Sequence, residues 1–288
     1  MSADGGAPTM ARSRRAAIRF VPFALALGAG VAGLALSAGT ASAATVDVVL
    51  LRFEGGAIGT EITSVVNEGA SAATTTSTIV KDAARAGRAI TVASYAGSGT
   101  AADFPAFSTS GARAIMAIRP ATGQPDILNP GTARLEYGAD IVLDSGTTAV
   151  AGSKDDGNNV VQRGLYNDKA QFKLEMDAGR PRCRVKGSAG AVEFASSVKV
   201  TSGQRYRVRC VRPAGSNTVT LTVAPIAADG TVGAAISTSR TASAIGSLSY
   251  SAAVPFTVAG KLTSSLTLAT PSSDQFNGVI DNVVLRLG

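Results

Sequence analysis

Two segments of the chain alternate arginine or lysine with apolar and sulfur-containing side chains, and each carries one of the two cysteines. They read RPRCRVKG at 180–187 and QRYRVRCVR at 204–212. Successive side chains of a β-strand point to opposite faces, so the alternation predicts two strands with inward cysteines and outward basic residues. In an oxidising compartment, two such strands favour a disulfide between Cys183 and Cys210.

The same two-residue alternation recurs along most of the chain. In AQFKLEM, at 170–176, Phe172, Leu174 and Met176 alternate with polar or charged residues. Clusters of Gly, Pro, Ser, Asn and Asp separate such segments, as turns do between short strands. The pattern therefore predicts an all-β antiparallel sandwich or barrel. Further strands are predicted at 46–53, 89–94, 113–118, 133–143, 159–166, 217–226, 264–270 and 278–287.

A few regions do not follow the strand pattern. The Ala-rich segment at 77–89 has spacing suited to a helix of one or two turns. The small polar stretches at 74–78 and 94–100 are predicted to be loops. Three prolines make 120–131 a surface connection between strands.

Residues 1–43 have the three-part organisation of a secretory signal peptide. Four arginines form a basic start, 20–37 is apolar, and Ala41-Ser42-Ala43 supplies the small residues of a cleavage site. We therefore expect an exported mature chain, 44–288, folded as one domain. An uncleaved membrane anchor is the alternative, because 20–37 is nearly long enough to span a bilayer. No other stretch of the chain has that length and hydropathy.

The stretch NNVVQRGLYNDKAQFKLEMDAGRPRCRVKGSAGAV at 158–192, followed by the second cysteine segment and VTLTV, resembles the laminin-G-like, concanavalin A-like jelly-roll domains of bacterial secreted proteins. LLRFEGG at 50–56 resembles their opening strand and FNGVIDNVVLRL at 276–287 their closing one. The resemblance implies a jelly roll of two stacked antiparallel sheets. This superfamily includes glycoside hydrolases, lectins, carbohydrate-binding modules and adhesion domains, so the fold leaves the function open.

Catalysis is not favoured by the composition. The chain has no histidine, which removes the usual general base and any Ser–His–Asp triad. Hydrolases of this superfamily carry two glutamates around an aspartate on one strand, whereas LEMDAGR offers only Glu175 and Asp177, with Gly179 next in phase. A solvated outer face that balances Arg182 and Arg184 explains these carboxylates as well.

Aromatic residues are few on the strands. Protein–sugar recognition uses an aromatic platform surrounded by hydrogen-bonding groups. The chain has no tryptophan, and among five tyrosines Tyr166 is the candidate platform because Asn167 and Asp168 follow it at a strand end. A strand-capping tyrosine is the alternative.

Basic residues concentrate in the middle of the chain, where twelve Lys or Arg and four acidic residues lie between Arg163 and Arg212. If the two cysteine strands are neighbours, their outward side chains form a ladder that fits an anionic polymer, such as a phosphate-rich or uronic-acid wall component. A solvated face neutralised by nearby acids is the alternative. No aromatic is interleaved, so nucleic acid is not expected. The ladder consists of Arg182, Arg184, Lys186, Arg205, Arg207 and Arg209.

A structural calcium ion is implied by the resemblance. Many members of the superfamily hold calcium between the first and last strands, and Glu54 and Asp281 occupy comparable places here. Hard oxygen ligands suit calcium. Strand capping or pairing with nearby donors is the alternative for both residues. In the KDDGNN loop, Asp155 and Asp156 are expected to form a plain turn.

We therefore expect a secreted, non-catalytic sandwich that binds a glycan or anionic cell-surface polymer. The predicted contacts are Tyr166, Arg182, Arg184, Arg205 and Arg207. The alternative is a structural or protein-interaction domain of an extracellular assembly without affinity for sugars. A divergent glycoside hydrolase is the third hypothesis.

Overall fold

A computed structural model describes residues 44–94, 99–107, 112–145, 158–268 and 273–288, all in one compact unit. The predicted signal peptide, Asp155 and Asp156 lie outside these residues. No helix within them has the length and hydropathy needed to cross a bilayer. The strands in these ranges are β1 Val46–Leu51, β2 Thr75–Lys81, β3 Ile90–Ala93, β4 Thr100–Phe104, β5 Ala114–Pro120, β6 Leu135–Leu143, β7 Asn159–Arg163, β8 Gln171–Asp177, β9 Arg180–Gly187, β10 Gly190–Ala195, β11 Arg205–Arg212, β12 Thr218–Pro225, β13 Ile236–Thr241, β14 Phe256–Val258 and β15 Gly278–Leu287.

The strands pair antiparallel and form two sheets. The eight-stranded sheet has the order β13-β12-β11-β6-β15-β4-β3, and β1 also pairs with β15. The seven-stranded sheet has the order β10-β9-β8-β7-β14-β5-β2. The prediction of an all-β fold of two antiparallel sheets, as in a jelly roll, is confirmed.

The core lies between the two sheets, where inward side chains of both meet. Tyr137 of β6 and Phe172 of β8 are fully buried, and their ring centroids lie 4.8 Å apart across the sandwich. The Tyr137 hydroxyl donates a hydrogen bond of 2.9 Å to the carbonyl oxygen of Arg184 in the opposite sheet. A buried tyrosine needs such a partner, so this contact fixes the distance between the layers.

The predicted disulfide is present and crosses the sandwich. Cys183 lies on β9 of the seven-stranded sheet and Cys210 on β11 of the eight-stranded sheet, with their Cα atoms 6.2 Å apart. Both cysteines are fully buried. The alternation correctly predicted their inward direction.

The prediction of a single basic ladder is wrong, because β9 and β11 are not neighbours. Each strand directs its cysteine into the shared core, so its alternate residues point to the outer surface of its own sheet. Arg182 and Arg184 therefore lie on the outer surface of the seven-stranded sheet. Arg205 and Arg207 lie on the opposite surface of the molecule.

Several local predictions are also corrected. The segment predicted to be helical, 77–89, contributes to β2 and then makes only the single 3₁₀ turn Ala83–Arg85. The β-branched run TTSTIV outweighs the alanines that follow and pairs with β5, so 74–78 is not a loop. The described part of the strand predicted at 264–270 is a turn, which covers an apolar cluster formed by Ile115, Ala117 and Leu262. Strands β4, β10, β13 and β14 were not predicted.

Candidate ligand-binding site

Three connections converge at one end of the seven-stranded sheet, which we call the turn end. The turn 164–170 joins β7 to β8, the turn 188–189 joins β9 to β10, and the segment 245–255 leads into β14. Neighbouring strands of this sheet run antiparallel, so the three connections lie at the same end of the strands. Two backbone hydrogen bonds of 2.9 Å tie the last two together, one of them from the N–H of Ser188 to the carbonyl of Ser247.

A glycine permits this close approach. A Cβ atom at Gly187 would lie 2.5 Å from the carbonyl oxygen of Ile245 and 2.9 Å from that of Ser247. Any side chain would push the 245–255 segment away from the hairpin. Gly187 therefore helps to shape the turn end by having no Cβ.

A cavity of about 660 Å³ lies between these connections, and we call it the lysine pocket. Its two lysines come from different parts of the sheet, since Lys169 lies in the β7–β8 turn and Lys186 near the end of strand β9. The full lining is Lys169, Ala170, Lys186, Gly187, Ser188, Gly190, Ser247 and Ser249.

A second cavity, of about 400 Å³, adjoins the first, and we call it the tyrosine pocket. Tyr250 forms one wall, and the guanidinium carbon of Arg163 lies 4.6 Å from its ring centroid. Arg163 is itself paired with Asp126 at 2.6 Å, and burial raises the pKa of Tyr250. The two pockets share Lys169, Ala170 and Ser249. The remaining lining mixes apolar with polar side chains: Gln162, Gly164, Leu165, Asp168, Ser251, Ala253, Val254, Pro255, Thr257, Leu262 and Ser264.

Tyr166, the predicted platform, stands beside the lysine pocket. Its side chain is held from one side by Arg184, whose guanidinium carbon lies 4.3 Å from the ring centroid. The Lys186 ammonium donates a hydrogen bond of 3.1 Å to the Tyr166 carbonyl. Tyr166 nevertheless remains 65% exposed, so the ring face away from Arg184 is open to solvent.

The predicted arginines of this surface are engaged with acids on neighbouring strands. Arg182 lies 2.6 Å from Asp177 and 3.1 Å from Glu193. Arg184 also pairs with Glu193. Side chains that are held in this way keep little charge for a polyanion, because they are already partly neutralised.

The two carboxylates considered for catalysis take part in the same network. Glu175 is buried and pairs with Lys173, while Asp177 pairs with Arg182. Burial raises the pKa of Glu175, and the positive charge of Lys173 opposes that rise. Both groups therefore act as partners of basic residues on this surface.

On the opposite surface, Asp140 organises the arginines of β11. Arg207 donates two hydrogen bonds of 2.8 Å to the Asp140 carboxylate, one to each oxygen. Arg209 approaches Asp140 at 3.4 Å and is nearly buried, which lowers the pKa of Arg209 to about 10. Arg205 lines a small cavity together with Asp140 and Asp281.

The two predicted calcium ligands lie near this surface. The Asp281 carboxylate accepts hydrogen bonds from the Ser94 hydroxyl at 3.0 Å and from the Asn282 N–H at 2.7 Å. Glu54 accepts one from the Thr100 N–H at 3.0 Å. Burial raises the pKa of Asp281 to about 6, and the negative charges of Asp140 and Glu54 add to the rise. The described residues contain no group of three acidic, His or Cys side chains placed for a metal ion, and calcium stays a prediction.

The sequence suggested Tyr166 as a platform and gave no indication of the pockets beside it. Lys169 lies three residues after Tyr166, so the local sequence was sufficient to suggest that it belongs to the same site. Ser247, Ser249 and Tyr250 carried no local signal, because only the packing of 245–255 against the turns brings them to this end.

No protein-family model matches the chain, and no curated protein matches it. Similar solved structures include a protein of unknown function from Shewanella oneidensis MR-1, with 12% identity and a TM-score of 0.47 over 86% of this chain and 89% of that one. The mouse laminin alpha1 chain, domains LG4-5, has 13% identity and a TM-score of 0.36 over 58% of this chain and 38% of that one.

The enzymatically active domain of bacteriophage CBA120 tailspike protein 2 has 13% identity and a TM-score of 0.43. That similarity covers 72% of this chain and 28% of the tailspike chain. This chain thus spans less than half the length of the laminin and tailspike structures. Neither family nor activity follows from likenesses at these identities, and the sandwich rests on the strand pairing described above.

Proposed function

We propose that this chain is a secreted, non-catalytic binding module that holds a glycan or another cell-surface polymer at the turn end of the seven-stranded sheet. Tyr166 carries the proposal: its ring is fixed by Arg184 on one side and is 65% exposed. An aromatic ring with one open face suits the apolar face of a sugar. The two adjoining pockets supply hydroxyl and ammonium groups, which suit sugar hydroxyls.

Export is supported by two features. The predicted signal peptide would direct the chain out of the cytoplasm. Disulfides persist in oxidising compartments, and Cys183–Cys210 is buried in the core. The bridge therefore fits a protein that works outside the cell.

A non-catalytic role is supported by the state of the carboxylates. Glu175 pairs with Lys173 and Asp177 with Arg182, so each carboxylate is already engaged by a basic side chain. The sequence also lacks histidine. These observations favour binding over hydrolysis.

The test is binding of the secreted protein to a panel of glycans and wall polysaccharides, with and without EDTA. Tyr166→Ala should weaken saturable binding about tenfold, the loss expected for one aromatic platform. Tyr166→Phe keeps the ring and should keep the affinity. Absence of binding to every glycan and polysaccharide of the panel overturns the proposal. Release of sugar that Glu175→Gln abolishes would show that the protein is an enzyme instead.

A protein-interaction domain is the second candidate, and the edge of the eight-stranded sheet favours it. Strand β13 ends that sheet, and its Ile236 is 52% exposed. An edge strand presents backbone groups that another strand can pair with. Protein capture or self-association that Ile236→Lys abolishes, and that Tyr166→Ala leaves unchanged, would favour this candidate.

A further inference from the structure

The lysine pocket has an unusual balance of charge. Two ammonium groups, Lys169 and Lys186, and three serine hydroxyls line it, whereas none of its lining residues is acidic. Elsewhere on the same sheet, the basic side chains Arg182 and Arg184 are paired with carboxylates. The pocket therefore holds two cations and no acidic lining residue that could neutralise them.

Neither lysine is neutralised by the described residues around it. Lys169 is exposed and makes no ion pair within the described ranges. Lys186 uses one of its three ammonium donors on the Tyr166 carbonyl, which orients the side chain and leaves two donors. An oriented ammonium loses less conformational freedom when it binds an anion than a free one does.

The carboxylate next to Lys169 in the sequence, that of Asp168, does not line the lysine pocket. Asp168 lines the tyrosine pocket instead, and one of its oxygens accepts a hydrogen bond of 2.7 Å from the Leu165 N–H. The tyrosine pocket also has apolar walls, including Leu262. The two cavities share Lys169 and Ser249, whereas Asp168 and Leu262 line only the tyrosine pocket.

We propose that the lysine pocket binds the anionic group, carboxylate or phosphate, of an acidic glycan, while a neutral part of the same ligand occupies the tyrosine pocket. The proposal rests on the glycan-binding function above and names its substrate class. Lys169 and Lys186 donate charge-assisted hydrogen bonds to the anion. Ser188, Ser247 and Ser249 supply neutral hydroxyl groups around it.

The test compares three probes on the secreted protein: polygalacturonate, its fully methyl-esterified form and poly(glycerol phosphate). Polygalacturonate should bind about tenfold tighter than its ester, because esterification removes the charge and keeps the sugar backbone. The phosphate polymer tells whether the pocket takes phosphate as well as carboxylate. Tight binding of polygalacturonate, weakened by loss of a pocket lysine, supports the proposal. Binding of the phosphate polymer alone, which contains no sugar, would refute an acidic glycan as the ligand.

Three variants, each of which removes one positive charge, test where the anion binds. Lys169→Gln and Lys186→Gln should each weaken binding of the anionic polymer about tenfold and leave binding of the ester unchanged. Lys199→Gln is the matched control, since Lys199 is an exposed lysine beside Gly179, at the opposite end of the sheet. It should change the affinity by less than about twofold, because exposed distant charges are screened by salt.

Two results overturn the inference in different ways. Equal affinity for polygalacturonate and its ester, with Tyr166→Ala still harmful, refutes the anion pocket and leaves the glycan-binding function standing. An effect of Lys199→Gln as large as that of Lys169→Gln shows non-specific attraction and also refutes the pocket. Absence of binding to all three probes and to the wider glycan panel refutes the function and the pocket together.

Discussion

Cys183 and Cys210 join the two layers of the sandwich, with their Cα atoms 6.2 Å apart, and they do not join neighbours within one sheet. The bridge lies in the core and directs the arginines of β9 and β11 to opposite outer surfaces. As a result, the molecule has two separately neutralised charged surfaces. The turn end of the seven-stranded sheet carries two more cations, Lys169 and Lys186, which form no ion pair with the described residues.

Loss of the disulfide should destabilise the fold without changing its architecture. The bridge closes a loop of 27 residues, for which the chain-entropy estimate is about 3–4 kcal/mol. We expect Cys183→Ala/Cys210→Ala to lose about that much free energy of unfolding, measured in urea under oxidising conditions. Reductant should lower the stability of the parent protein and leave that of the double variant unchanged. Equal stability of the two proteins would contradict a structural role for the bridge.

Removal of the Asp140 charge should lower the free energy of unfolding more than removal of the charge of an exposed carboxylate does. Asp140 is buried and pairs with Arg207 and Arg209, so Asp140→Asn leaves a nearly buried guanidinium without its counter-charge. Breaking one side of a buried pair costs about 3–5 kcal/mol. Urea unfolding measures the loss. Asp82→Asn, which breaks an exposed pair with Arg85, is the control and should cost less than about 1 kcal/mol.

Asp281 should make stability fall as pH rises. The folded pKa, about 6, exceeds the unfolded value of about 3.9, so the folded chain binds the extra proton between these values. Stability contributed by the neutral carboxyl is therefore complete below about pH 4 and is lost as the pH passes about 6.

Asp281→Asn removes this dependence and keeps an acceptor for the Asn282 N–H. In EDTA, the variant should be about 3 kcal/mol more stable than the parent protein at pH 8, and the difference should shrink to near zero at about pH 4. Thermal unfolding across this range measures it. A constant difference from pH 4 to pH 8 would show that Asp281 does not titrate as described.

The predicted calcium site has a direct test. A bound ion stabilises the folded state, by about 2.7 kcal/mol at a hundredfold excess over Kd. Calcium at about 10 mM, above the Kd of typical extracellular sites, should raise the Tm of the parent protein. Glu54→Gln and Asp281→Asn should abolish the increase, whereas Asp229→Asn, which changes an exposed turn carboxylate, should keep it. An unchanged Tm in the parent protein refutes the site.

The strand alternation was sufficient to predict the layers and the inward cysteines, because side-chain direction is a local property of a strand. It was not sufficient to assign strands to sheets. A disulfide requires Cα atoms about 4.4–6.8 Å apart, a range that neighbouring strands also satisfy. β11 pairs with β6 and β12, and these partners are set by the whole sandwich.

In the candidate site, too, some features follow from the local sequence and others depend on segments that are distant in the chain. Tyr166 could be proposed from the sequence, since Asn167 and Asp168 beside it indicate a strand end, and the structure places it in the turn after β7. The support of its ring by Arg184 was not, because it depends on β8 and β9 pairing in one register. Ser247 and Ser249 of the lysine pocket come from a segment about eighty positions further on, a separation for which a single sequence gives no signal.

Arg184 should stabilise Tyr166 through its ring, and a double-mutant cycle isolates that contact. Unfolding free energies of Tyr166→Ala, Arg184→Gln and the double variant should give a coupling of about 0.5–1 kcal/mol, the range for an exposed cation–π pair. Arg182→Gln is the matched control: Arg182 lies on the same strand and surface and pairs with Asp177 and Glu193.

The Tyr166–Arg182 cycle should give a coupling near zero, because independent sites add. If both cycles give equal couplings, Arg184 acts on Tyr166 by long-range electrostatics, as Arg182 does, and not by contact of its guanidinium with the ring. If only the Arg184 cycle is coupled, its loss should also weaken glycan binding, because a platform free to rotate loses more entropy on binding. Binding that persists in Arg184→Gln at full affinity would show that Tyr166 needs no support.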